Sequence, residues 1–114
     1  MRITPDWRYT MGTNFIYLTV STIYEARTIG KELVSNRLAA GVNIIDNMNA
    51  IYWWDGDIQD EKEVILIAKT KESLVPELIE KIKSMHSYSC PCIVSLPILD
   101  GNKPFLDWIA DETK

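Results

Sequence analysis

Three side chains within seven residues carry the softest ligand chemistry in the chain: His86, Cys90 and Cys92, spaced H-x3-C-x-C, are its single histidine and both of its cysteines. Thiolate and imidazole suit zinc or cuprous copper better than magnesium or calcium. If residues 90 to 92 are extended, both sulfurs point to one side, close enough to share a soft ion. Zinc normally takes four ligands, and the chain holds no further Cys or His, so a complete structural zinc site inside one subunit is not expected. The competing reading makes the cysteines two small, partly buried hydrophobes at a strand entrance, beside a helix-terminal histidine. A disulfide across i and i+2 would be strained, and an intracellular setting would disfavour it.

A second set is aromatic and charged. Tyr52, Trp53 and Trp54 could stack on a flat ligand, and Lys69 could meet an anion. Consecutive strand residues alternate faces, so Trp53 and Trp54 point opposite ways. Packing is the simpler role, with one ring in the core and the other at a subunit contact. Glu63 and Lys69 share a strand face but stand ~20 Å apart by strand rise, too far for a catalytic pair. There is no G-x-S-x-G and no phosphate-binding glycine loop, so no enzyme site is expected.

Asp55, Asp57, Asp60, Glu61 and Glu63, opposed only by Lys62, carry as much net charge as the whole chain's −4. This turn lacks the ligand order of a calcium loop and reads as a solvated hairpin tip. Twelve Lys and Arg against sixteen Asp and Glu leave no basic surplus for nucleic acid. No apolar run reaches the ~18 residues of a membrane span. The opening residues show no apolar signal core, so a cytoplasmic location is expected, and residues 1–13 read as a tail.

The apolar pattern defines the elements that must hold these residues. Residues 14–21 read as a strand with Ile16, Leu18 and Val20 on one face. A helix capped by Ser21 or Thr22 runs to near Leu38, with Ile23, Ala26, Ile29, Leu33 and Val34 as its stripe. Residues 41–54 read as one long strand with a bulge or bend at 46–49. Asp55-Gly56 is the hairpin turn, since glycine supplies the positive φ such turns need. The near-continuous apolar run of the return strand, 63–70, implies cover on both faces and a central place. Ser73 opens a second helix that stops around His86, with Val75, Leu78, Ile79, Ile82 and Met85 inward. Residues 93–98 form an edge strand beside Pro91 and Pro97. A short helix over 104–110 closes the chain through Phe105, Trp108 and Ile109.

This order fits an α+β, ferredoxin-like βαββαβ sandwich, with a long hairpin between the second and third strands and a short C-terminal helix, in one domain over 14–114. Two helices on one sheet face leave the other without cover. Residues 41–54, if straight, would reach about 46 Å at ~3.3 Å each. A compact body of this size spans only about 34 Å, so the aromatic hairpin overhangs it. Self-association is the simplest remedy for both exposures.

RLAAGVNII (Arg37 to Ile45), IYWWDG (Ile51 to Gly56), EVILIAKT (Glu63 to Thr70), HSYSCPCI (His86 to Ile93) and FLDWI (Phe105 to Ile109) resemble, in order and spacing, the CutA divalent-cation tolerance proteins. The resemblance covers about residues 14 to 110. It implies a homotrimer of ferredoxin-like subunits joined through extended hairpins and a link to divalent metals, copper above all; with no enzyme site in the sequence, a non-enzymatic protein with no obligatory cofactor is expected. The chain departs from the family pattern in having Gly41 where cysteine is common, and Ser89 and Cys92 at two acidic positions. A metal role resting on those family ligands does not transfer here, which leaves His86, Cys90 and Cys92 as the metal candidates. Trimeric ferredoxin-like sensors of the PII class offer an alternative by analogy, with Tyr52, Trp54, Lys69 and Tyr88 as a candidate pocket between subunits. An interaction scaffold without a ligand is a third reading.

Overall fold

The structure, a computed structural model, describes residues 12–114. The expected tail therefore lies outside the described residues, save for Gly12 and Thr13. Strand β1 (Thr13–Val20) leads into helix α1 (Ile23–Ser35), and strands β2 (Gly41–Trp54) and β3 (Asp57–Lys71) form the long hairpin. A 3-10 turn (Glu72–Leu74), helix α2 (Val75–Met85), strand β4 (Ile93–Pro97) and helix α3 (Lys103–Asp111) follow. All neighbours in the sheet order β2-β3-β1-β4 are antiparallel, so β3 is central and β4 is an edge, as the apolar run and the prolines imply.

Register explains which face closes. Ile16, Leu18 and Val20 stand opposite Ala68, Leu66 and Val64, and all six are buried against Ala26, Ile29 and Leu33 of α1 and Leu78 and Ile82 of α2. Thr22 caps α1 by accepting the Glu25 N–H at 3.1 Å. The intervening residues, among them Phe15, Tyr17, Ile65, Ile67 and Lys69, line the other face.

The bulge falls between Ile45 and Met48, where Asp46 and Asn47 oppose Val64 alone and Asn47 takes a φ of 60°. One extra residue reverses parity beyond that point. Val42 and Ile44 face the helices, whereas Met48, Ala50, Tyr52 and Trp54 join the open face with Glu61 and Glu63. Asp55 and Gly56, with φ of 54° and 81°, make a two-residue turn of the type their sequence favours. The hairpin arm stretches the subunit to 57 × 28 × 22 Å.

Four expectations need correction. Strand β3 begins at Asp57, six residues before the expected Glu63, because the charged stretch Asp57–Lys62 is held by pairing with Asn49–Trp54. Helix α1 stops at Ser35, and the chain turns through the left-handed Arg37 before Leu38. Ser73 lies inside the 3-10 turn and caps nothing. Neither Trp53 nor Trp54 enters the subunit core, since both ride on the arm beyond the body.

Candidate functional site

His86 is the C-cap of α2, and its N–H donates to Ile82 O at 2.9 Å. Its side chain is fully buried, with Nε2 2.7 Å from the Thr19 carbonyl oxygen and Nδ1 accepting the Tyr88 N–H at 3.0 Å. Since Nδ1 accepts, the ring proton sits on Nε2 and donates to Thr19, which commits both nitrogens. Ser87 donates its N–H to Glu25 Oε2 at 2.7 Å and its hydroxyl to Oε1 at 3.1 Å. Burial alone would raise the Glu25 pKa, but the hydrogen bonds from Ser87 and Ser21 prevail and hold it below the ordinary carboxylate value.

Beyond this knot the chain turns outward, and Cys90 and Cys92 are exposed and unbridged. Thr19 N–H closes the loop on Cys92 O at 3.4 Å. The imidazole and the thiols therefore share a loop but differ in access: both cysteines are exposed, and the imidazole is buried and held by two hydrogen bonds. No three His, Cys, Asp or Glu side chains among the described residues gather as a metal-holding group. Cys90 lies in a bend and Cys92 just ahead of β4, and a site needing His86 would have to break its two hydrogen bonds.

The open face carries a second cluster, centred on a residue whose role the sequence hides. Glu63 is only 6% exposed and accepts the Tyr88 hydroxyl at 2.9 Å. Burial, that hydrogen bond and the charges of Glu63, Glu61 and Tyr52 raise the Tyr88 pKa, so the phenol stays a donor. Tyr52 donates to Glu61, and this bond, ahead of burial and nearby charge, pushes its pKa up to about 12. Of the four candidate pocket residues, Tyr52 and Tyr88 thus meet around this acidic pair. Trp54 lies two residues further along the arm than Tyr52 on the same face. Lys69 lies at the opposite end of β3, donating to Asn43, and burial lowers its pKa with no carboxylate contributing.

Gly41 has a packing role. A Cβ there would come within 3.0 Å of the Trp108 ring, so the indole fills the space a side chain would take. Gly41 pairs with Lys69, which sets α3 over that end of the open face. The helix is buried through Leu106, Ile109 and Ala110; Phe105 and Trp108, expected inward, stack on each other at 5.4 Å and stay part-exposed.

The class the structure defines is an α+β, ferredoxin-like domain with a projecting hairpin arm and one sheet face left half covered. The family model described as CutA1 divalent ion tolerance protein matches residues 14–112. The chain is 43% identical to the divalent-cation tolerance protein CutA of Thermus thermophilus, over 86% of this chain and 95% of that one. It is 45% identical to the protein of the same name from Archaeoglobus fulgidus, over 88% and 96% of the two chains. The solved structure of CutA1 from Oryza sativa superposes with a TM-score of 0.88 at 36% identity, covering 91% of this chain and 95% of that one. The chain belongs to the CutA1 divalent ion tolerance family.

Proposed function

We propose that this protein acts as a non-enzymatic, cytoplasmic homotrimer that binds a divalent or soft metal ion, copper foremost, with its exposed thiols as the contact. The observation carrying the reading is the unfinished sheet: Phe15, Ile45, Val94 and Leu96 on the open face are 39%, 49%, 48% and 50% exposed. Apolar area of that extent is costly to leave in water, at roughly 25 cal/mol per Å2, and a symmetric closed assembly covers it. The family's names supply the link to divalent cations. Cys90 and Cys92 supply soft ligands, and a reducing compartment keeps them available. His86 joins the site only if metal binding frees its ring.

A second reading has one observation in its favour. Lys69, partly desolvated and without a carboxylate partner among the described residues, would suit a small anion held in a cleft between subunits, with Tyr52, Trp54 and Tyr88 contributed across the contact. Equilibrium dialysis against cuprous, cupric and zinc ions, run beside a nucleotide panel, separates the two. Saturable copper uptake that is lost in the Cys90→Ser, Cys92→Ser double mutant supports the metal reading; nucleotide binding without copper uptake replaces it with the second.

A further inference from the structure

We propose that Asp100-Gly101, in the turn between β4 and α3, is a site of spontaneous backbone isomerisation through a cyclic imide, and that the fold selects it over the chain's other Asp-Gly pair, Asp55-Gly56. The chemistry needs only water; neither a metal nor a second copy of the chain takes part. Gly101 N–H donates to Asp100 Oδ1 at 2.8 Å. Oδ1 is bonded to Cγ, so this contact brings the Gly101 nitrogen to the carboxyl carbon and directs its proton at the group that must leave. Glycine completes the arrangement, because no Cβ screens the nitrogen. Both residues are exposed, so water reaches the turn.

Two other places hold one half of this arrangement each. Asp46 accepts the Asn47 N–H at 2.7 Å, but Asn47 carries a Cβ and is held in the bulge between Ile45 and Met48. Asp55-Gly56 has the glycine, but its backbone is committed to the two-residue turn, with φ of 54° and 81°, closed by the Trp54–Asp57 pair. Asp100-Gly101 lies outside the strands and helices, flanked by the bonds from Ile98 N–H to Thr13 O at 2.9 Å and from Phe105 N–H to Asn102 O at 3.0 Å.

In the first step the Gly101 nitrogen bonds to Asp100 Cγ, and a carboxyl oxygen departs as water with the amide proton and one proton from solvent. Water then adds at the Asp100 carbonyl carbon and breaks its bond to the Gly101 nitrogen, so the chain continues through Cβ and Cγ. The mass is unchanged. The product has an extra backbone carbon between the two flanking bonds and a free α-carboxylate, which alters the link that carries α3.

The test ages the full wild-type chain at neutral pH in heavy-oxygen water and digests it at intervals. Electron-transfer fragmentation locates isoaspartate, and the label marks each ring opening. Isoaspartate at Asp100 should accumulate at least about tenfold faster than at Asp55, since displacements of about 1 Å from such a geometry cost up to about 100-fold. The same chain unfolded in guanidinium should lose the preference. Gly101→Ala should slow the reaction at Asp100 and keep the fold, because its Cβ would meet a Leu106 methyl at an ordinary 3.4 Å and Gly101 does not use a left-handed φ. No isoaspartate at Asp100, a rate at Asp55 that equals or exceeds it, a preference that survives unfolding, or an unaltered rate in a folded Gly101→Ala protein would each overturn the proposal. If that variant does not fold, the folded and unfolded wild-type rates decide alone.

Discussion

The β2–β3 ladder runs through two environments. At its body end, Val64, Leu66 and Ala68 are at most 3% exposed beneath the helices; at its arm end, Ile51, Trp53 and Ile58 are 67%, 72% and 62% exposed. The pairing is continuous apart from one bulge, and both ends are rich in apolar side chains. Hydrophobic content therefore does not tell the ends apart; length does. The body end lies within reach of α1 and α2, and the arm end outruns the other elements among the described residues. The same driving force closes the first beneath the helices and leaves the second exposed.

Truncation at the two ends should have different readouts, and the largest effect belongs to the body. Leu66→Ala should cost about 2 to 5 kcal/mol in chemical denaturation, the range for a fully buried leucine. Trp54→Ala should act on association, raising the dissociation constant by an amount equivalent to about 2 kcal/mol or more, as for an aromatic anchor at an interface. Analytical ultracentrifugation over a dilution series would measure it. Trp53→Ala, on the opposite face of the arm, should weaken association less; equal effects would mean that both faces of the arm are covered. Matching losses of fold stability, with mass unaltered in both arm mutants, would place the rings in a role the ladder's geometry does not give them.

These contrasts also show what could be read from the sequence. The bulge was legible because Asp46-Asn47 interrupts an apolar run, and the turn because Asp55-Gly56 tolerates positive φ. The first part of β3 was not, since Asp57–Lys62 reads as solvated loop until its partner strand is counted. For α3 the sequence reads Phe105, Trp108 and Ile109 as the inward stripe, whereas burial falls on Leu106, Ile109 and Ala110 and Trp108 packs over Gly41 while staying part-exposed. Glu63 reads from the sequence as part of a solvated acidic tip, because a charged residue opening an apolar strand defaults to solvent. Its burial depends on Tyr88, 25 positions further on. The thiols and the histidine were legible as chemistry, but the hydrogen bonds that lock one and leave the others exposed were not.

The smallest predicted effect concerns the knot at the thiol loop. Glu25 has a folded pKa below its ordinary value, so its contribution to stability is complete above the carboxylate range and fades as pH falls through the depressed value. Thermal unfolding from neutral pH downward should show that loss. Glu25→Gln should make the acid limb of the curve shallower. An identical limb in the two proteins would mean that Ser21 and Ser87 do not favour the ionised carboxylate in solution.

On the proposed reading, the open face and the arm are completed by other copies of this chain. Sedimentation equilibrium of the wild-type protein at micromolar concentration measures this directly. A single species at about three times the 13.1 kDa subunit mass is the expected result, and a stable, well-folded monomer would contradict it.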